Sequence, residues 1–493
     1  MADGGSDVKW RSKMTDVELS DYSMTIQDLE DLRSILNDSI DRLKSQYQLK
    51  SLDFPSLDEP YRGDAAEALA ASPEVSNVIS TIVAASYQLL ATVRTPFLSA
   101  LDGATAYMLS VCLRVTEQIN AVEILREGSP DGVHINDLAA KTGMEPTKLA
   151  RIFRVLATHH IFREVKPNVF ANNRISSSYD TGKSTEWLAS HPHAEKHEGT
   201  NGASALFDHN TDEIFKASAY LYETMLSPET SHSFSATKAP LQVAFNTDKL
   251  WWDWVEEPFN VQRFARYGAA IRGTSQWNRP EAILQGYEWH SLTPEDLVVD
   301  VGGGTGMPAM MISRAYPDVR IVIQDREAIT EQGKAFWAAV YPEALESGRV
   351  IFQAHEFFDE QPVRNASVFI LRTILHDWPD EECLKILKRL RAAAAPGTKL
   401  VIGDFQVPYA CSDNGDLDIP GAQAPLPPKP LLANLGKSSF VTYAFDITMQ
   451  VLLNGQERTT AHQVDLARRA GWRAVQLNRV ESSCFGFLVA QPA

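Results

Sequence analysis

From Thr15 to Lys50 the apolar residues Leu29, Leu32, Leu36, Ile40 and Leu43 recur at intervals of three and four, which lines one face of a helix. Apolar stretches from Ala70 to Leu90 and from Met108 to Val115 extend this into a helix-rich N-terminal block. The segments Gly132 to Gly143 and Pro146 to Leu156 then read as helix, glycine turn and helix. Ile161–Val165 and Asn168–Ala171 follow as a short β-wing, which completes a winged-helix pattern. From Asp296 the pattern changes to short apolar runs alternating with helical periods. Strands are predicted at Leu297–Val301, Arg320–Gln324, Val350–Gln353, Val368–Leu371 and Lys399–Phe405, and helices at Met307–Ala315 and Asp380–Ala395. Such alternation builds a parallel sheet with crossover helices. Ala474–Val480 and Cys484–Ala490 are close enough to form a closing antiparallel hairpin. Tyr409–Lys437 holds five prolines and is predicted to be a loop or partly disordered insertion. The expected division is 1–115 helical, 116–180 winged-helix, 181–285 connector and pocket, and 286–493 catalytic, with the insertion at 409–440.

At 493 residues the chain calls for more than one domain. Its 46 Lys and Arg against 63 Asp and Glu leave a formal charge of −17, which disfavours nucleic acid and anionic membranes and favours a small-molecule partner. Arg151, Arg154 and Arg163 could line a DNA-recognition helix and wing; the acidic balance weighs against that. Four scattered cysteines suggest neither a disulfide framework nor a zinc site. The first residues lack the order of a signal peptide. The apolar stretch Val78–Val93 is interrupted by Ser80, Thr81, Ser86 and Gln88 and is shorter than the roughly 20 residues that span a bilayer, so a soluble cytoplasmic protein is expected. His191, His193 and His197 have a spacing that could hold a metal, but loop-like surroundings make exposed histidines the expectation, with no metal. Trp251, Trp252, Trp254, Phe259 and Phe264 serve either a core or a flat apolar pocket.

Two motifs carry chemistry. Val299-Asp300-Val301-Gly302-Gly303-Gly304-Thr305-Gly306 is a strand-to-helix turn that lets backbone approach a ligand. Parsed as Gly304-x-Gly306-x-x-Ala309 it also fits a dinucleotide site, hence a nicotinamide oxidoreductase, and Asp325 at the next strand end suits ribose hydroxyls in either case. The second motif, Leu375-His376-Asp377-Trp378-Pro379-Asp380, puts a candidate base beyond the cofactor turn. Alone, His376 reads equally well as a residue at the start of an acid-capped helix.

Together, Val299–Gly306 and Ile370-Leu371-Arg372-Thr373-Ile374-Leu375-His376-Asp377-Trp378 resemble the plant-type small-molecule O-methyltransferases, such as those of caffeic acid and flavonoids. Gln456-Glu457-Arg458-Thr459 and the closing hairpin extend the resemblance, and Phe170–Ile175 with the proline-rich insertion looks like fungal secondary-metabolite members. The resemblance implies a class I methyltransferase α/β fold, a Rossmann-like sheet with an antiparallel C-terminal hairpin behind a helical, winged-helix dimerisation domain. It implies S-adenosylmethionine as cofactor, a homodimer, and a phenolic or polyketide-like hydroxyl as acceptor. His376 would be the general base, bracketed by Glu457 and Asp404, the latter standing where the family usually has Glu. Gly302, Gly304, Asp325, Arg372, Glu356 and Phe357 would hold the cofactor, with Arg372 in a position that commonly carries Lys and His355-Glu356 replacing an Asp-Met pair. Trp254, Phe264, Met449 and Asn454 would line the acceptor site. The chemistry agrees: a phenol, with a pKa of about 10, needs a base at neutral pH before it can attack a methyl group. The alternatives are the oxidoreductase and a non-enzymatic winged-helix regulator or inactive methyltransferase-like scaffold.

Overall fold

The computed structural model describes residues 26–129, 131–364, 366–412 and 417–493. The expected helical pattern from Thr15 to Thr25 and the sequence at the extreme N-terminus lie outside these residues, as do positions 413–416 of the insertion.

The C-terminal half is built on a seven-stranded sheet. Its order is Val350–Ala354, Arg320–Asp325, Leu297–Val301, Val368–Arg372, Lys399–Phe405, Phe485–Pro492 and Trp472–Arg479. The first five strands are parallel and the last two antiparallel. Strands buried on both faces read as continuous apolar runs, and alternate side chains supply two separate cores. Val299, Val301, Phe369, Leu371, Leu400 and Ile402 point to one face and pack on helices Asp380–Ala393 and Thr460–Arg469. Val298, Ile321, Ile323, Val368, Ile370 and Val401 point to the other and pack on helix Met307–Ala315. Trp472, with no exposed surface, donates its indole N–H to the Leu387 carbonyl at 3.0 Å, so a large apolar ring is buried without orphaning its polar atom.

Chain order reverses between Leu297–Val301 and Val368–Arg372, and the carboxyl ends of these strands form the crevice where open α/β sheets bind ligands. The Gly302–Gly306 turn, Asp325, Thr373 and Asp404 all lie at that end.

The winged-helix pattern is present: helices Ile135–Thr142 and Pro146–Thr158 precede strands Arg163–Lys166 and Val169–Ala171, which join Val133–His134 in a small sheet. Arg154 is not free for a phosphate, because it donates to both Glu164 oxygens and to Asn168. Helices Ile26–Leu49 and Pro73–Val93 pack together through Leu32, Ala84 and Ala85. By length and composition Pro73–Val93 and Pro96–Gln118 are each long enough to cross a bilayer. This corrects the expectation drawn from Val78–Val93, because the helix starts five residues before that stretch.

The proline-rich insertion also differs from expectation, since its described part is ordered by contacts at two places. Leu431 enters the N-terminal helix pair, and Gln88 donates to the Pro430 carbonyl at 2.5 Å. Leu477 donates to the Pro420 carbonyl at 2.9 Å and Arg479 to those of Gly421 and Ala422. The insertion thereby covers the open edge of strand Trp472–Arg479, a surface that would otherwise invite pairing with another chain.

Candidate active site

Strand Val368–Arg372 ends at Thr373, whose φ of +53° is a left-handed conformation that β-branched residues rarely adopt. Its N–H donates to the Gly403 carbonyl at 2.8 Å, so the adjacent strand holds this residue in place. The chain then enters the 3-10 turn Leu375–Asp377. Arg458, only 3% exposed, fixes that turn by donating to the carbonyls of Leu375 at 2.7 Å and Trp378 at 2.8 Å and by pairing with Asp380 at 3.0 Å. Gln456 donates its N–H to the His376 carbonyl at 2.9 Å. Gly455 passes so close that a Cβ there would stand 2.2 Å from the His376 oxygen, which leaves no room for a side chain.

His376 Nδ1 lies 2.7 Å from Glu457 Oε1, and its Nε2 lies 3.5 Å from Asp377 Oδ1. Glu457 is buried, and its backbone N–H donates to Asp446 at 2.9 Å. A carboxylate on Nδ1 selects the tautomer whose Nε2 carries the free lone pair. Burial works against the charged ring, but the charges of Glu457 and then Asp377 outweigh it and hold the His376 pKa up at about 10. Burial likewise raises Asp377 to about 6, against the pull of His376.

Asp404 does not orient the imidazole. Its Oδ1 is buried without a hydrogen-bond partner, because aspartate is one methylene shorter than the glutamate usual in the resembling family and stops short of the ring. Its contribution is electrostatic: its charge adds to those that raise His376, while burial pushes its own carboxyl up to about 8.

Glu457→Gln tests this electrostatic assignment. The amide oxygen can still accept from Nδ1, but the charge is gone, so the His376 titration followed by NMR should move downward by about a pH unit or more. A folded-state pKa raised from about 6.5 to about 10 contributes stability that is fully present below pH 6.5 and lost as pH rises through 10. The variant should lose most of that window. An unchanged His376 titration would contradict the assignment.

On the cofactor side, Gly304 N–H donates to Asp325 Oδ2 at 2.9 Å, and Trp337 donates to the Thr305 carbonyl at 3.0 Å beneath the turn. Asp300, 2% exposed, has an Oδ2 without a partner, and burial raises its carboxyl to about 7. Arg372 donates to Asn278 Oδ1 at 2.7 Å while its Nε is buried unpaired, and its guanidinium feels both Asp300 and Asp404. His355 donates its N–H to the Asp325 carbonyl at 2.9 Å. Glu356 accepts from the Phe358 N–H at 3.2 Å, and Phe357 packs against Phe358 and Trp378 near Gly302.

The acceptor-side expectations need revision. Trp254 is 2% exposed and packs on Phe245 with ring centroids 4.5 Å apart, so it belongs to the core that also buries Met449. Phe264 is 41% exposed on the outer face of helix Val261–Gly273. Asn454 takes the left-handed turn before Gly455 and ties its amide to the Ser235 carbonyl at 2.7 Å. Tyr267 packs edge to face on Trp251 with ring centroids 4.5 Å apart, and burial raises its hydroxyl pKa. Trp277 and Phe445 meet edge to face at 5.6 Å, and Phe445 lies against Phe405.

The histidine triplet does not converge: His191 stacks on Trp187 at 4.0 Å, while His193 and His197 meet edge to face at 6.4 Å.

Residues 266–416 match the O-methyltransferase domain model, and residues 101–182 match the O-methyltransferase dimerisation domain. The chain is 38% identical over 462 residues to 4-O-methyltransferase 1 of Phanerochaete chrysosporium, covering 93% of this chain and 97% of that one. It belongs to the O-methyltransferase family. O-methyltransferase tpcA of Aspergillus fumigatus is 34% identical, with 81% and 84% covered. The fold is that of OxaC, solved with SAH and oxaline, at a TM-score of 0.64 and 18% identity over 94% of this chain and all of that one. The protein is thus an S-adenosylmethionine-dependent O-methyltransferase acting on small metabolites, of the type found in fungal secondary metabolism. The nicotinamide reading of its glycines falls away.

The residues of this methyltransferase fit that cofactor. Gly302 and Gly304 have φ of +69° and +58°, and no atom stands within 4 Å of a Cβ built on Gly304, so the turn leaves open space over its backbone. The second Asp325 oxygen contacts the Arg326 N–H and leaves acceptor capacity for ribose hydroxyls. The unpaired Asp300 oxygen suits an ammonium group.

Proposed function

We propose that this enzyme methylates a phenolic or polyketide-like hydroxyl of a small aromatic metabolite, with His376 as general base. The observation that carries this reading is the 2.7 Å contact from Nδ1 to Glu457, which leaves Nε2 for the acceptor hydroxyl. The surrounding carboxylates hold the ring charged before the cofactor binds, and it takes the acceptor's proton once the positive charge of the bound cofactor lowers its pKa. Bound S-adenosylmethionine supplies the electrophilic methyl group. Glu457 positions the imidazole and stabilises the imidazolium that forms on deprotonation. Asp377 adds negative charge, so the pocket suits a cationic cofactor and a proton passing to nitrogen. The names of two relatives, 4-O-methyltransferase 1 and 3-O-methyltransferase 2, support an oxygen acceptor.

The reading includes a homodimer in the cytoplasm, with no metal and no nucleic-acid or membrane partner. The matched dimerisation domain supports pairing, as do the exposed apolar residues Tyr87, Leu90, Val93, Phe97, Leu101 and Tyr107.

The test is to incubate the purified enzyme with methyl-labelled S-adenosylmethionine and a panel of phenols, anilines and carbon nucleophiles, and then locate the label by mass spectrometry and NMR. Label on phenolic oxygen is expected. Transfer only to nitrogen or carbon acceptors would refute the proposal, since the fold itself does not choose the nucleophile.

A further inference from the structure

A second polar centre, lined by none of the residues proposed for methyl transfer, lies among the helices that precede the catalytic sheet in the chain. A cavity of about 160 Å³ opens among helix Tyr107–Gln118, the turn His193–Glu195, helices Ala203–His209 and Val261–Gly273, and the π-turn Asn210–Ile214 between them. His197 is 2% exposed, and neither of its ring nitrogens has a hydrogen-bond partner. His193 Nε2 and Arg266 Nε are also buried and unpaired, while the orphaned Asp208 Oδ2 lies 2.8 Å from the Arg266 guanidinium. Buried polar atoms are nearly always satisfied, so several orphans around one cavity point to an occupant.

Charge decides what kind. The carboxylates already hold cations: Glu117 pairs with Lys196 at 2.5 Å, and Asp208 with Arg114 at 3.1 Å and Arg266 at 2.8 Å. Asp212 pairs with Lys216, Arg263 and Arg266, and Glu213 with Arg266 and His209. Five Arg and Lys side chains therefore face four carboxylates. Ligand atoms of Glu117, His197 and Asp208 lie within 4.8 Å of one another, a spacing that would admit a metal ion. A dication there would press against Lys196, Arg114 and Arg266. Burial and then the Lys196 charge drive the His197 pKa down to about 3, which keeps the ring neutral.

We propose that this cavity binds a small oxyanion, a carboxylate or phosphate group, held by His193, His197, Arg263 and Arg266. The anion would offset the surplus cation and accept from Arg266 Nε and from the single N–H of the neutral His197 ring. The inference does not depend on the identity of the methyl acceptor.

The experiment is thermal unfolding of the purified protein at constant ionic strength with inorganic phosphate, malonate or chloride, and in parallel with Mn²⁺ or Zn²⁺ alone. Phosphate or malonate should raise the midpoint by several degrees over chloride, and the better of the two identifies the anion class. Arg263→Gln, at the cavity mouth, should abolish the shift, and His193→Ala serves as a second variant if the first does not fold. Equal midpoints in all anions would overturn the proposal, as would an undiminished shift in the variants. Stabilisation by the metal ions instead, reversed by chelation, would assign the cavity to a cation and also overturn it.

Discussion

Replacing His376 with alanine is expected to lower turnover by about 10²–10⁴-fold at neutral pH, the usual contribution of a positioned general base. Cofactor affinity should stay within about two-fold of wild type, because the Gly302–Gly304 turn and Asp325 are not in contact with the imidazole. Raising the pH toward the phenol's own pKa of about 10 should recover part of the lost rate, since the acceptor then ionises without help. Single-turnover rates against pH, with S-adenosylhomocysteine binding by calorimetry, provide the check. Full turnover at neutral pH with normal cofactor binding would remove His376 from the mechanism. So would a rate loss that does not lessen as pH rises.

Arg458→Ala should damage the enzyme nearly as severely by another route. The guanidinium satisfies the carbonyls of Leu375 and Trp378 and pairs with Asp380, at 3% exposure. Its removal leaves two buried carbonyls without their donor, at a cost of about 1–3 kcal/mol each, while Asp380 keeps His462 and Arg469. The turn that carries His376 would loosen, so kcat should fall by about 10²-fold while KM for the cofactor changes little. Arg458→Lys should not restore activity, because one ammonium cannot reproduce the planar fork that spans both carbonyls. Denaturant unfolding and steady-state kinetics on both variants provide the measurement. Wild-type turnover in the lysine variant would contradict this role.

Much of the catalytic half was legible in the sequence. Lys399–Phe405 appears as predicted, and the other parallel strands differ by at most one residue at their ends, because strands buried on both faces leave an unbroken apolar run. The turn glycines, Asp325, His376 and Glu457 were legible for a different reason: each sits in a motif whose local chemistry survives in one dimension. Trp254 lies in a core and Phe264 is exposed, and the sequence could not tell these apart because aromatic identity states an appetite for burial and not its direction.

The Asp404 side chain divides the two sources of information. Its place near the end of the fifth strand was readable, and so was the shortfall of one methylene. Whether that gap would be closed depended on the positions of neighbouring strands, and the tertiary structure leaves it open. The same holds for Thr373, Arg458 and Gly455, which together aim His376 from separate parts of the chain. By itself the sequence determined the order of the elements, the cofactor turn and the identity of the candidate base, since these depend on periodicity and local chemistry. Only the tertiary structure decided which carboxylate grips the imidazole and which charges shift its pKa, because those depend on distances of a few ångströms between residues far apart in the chain.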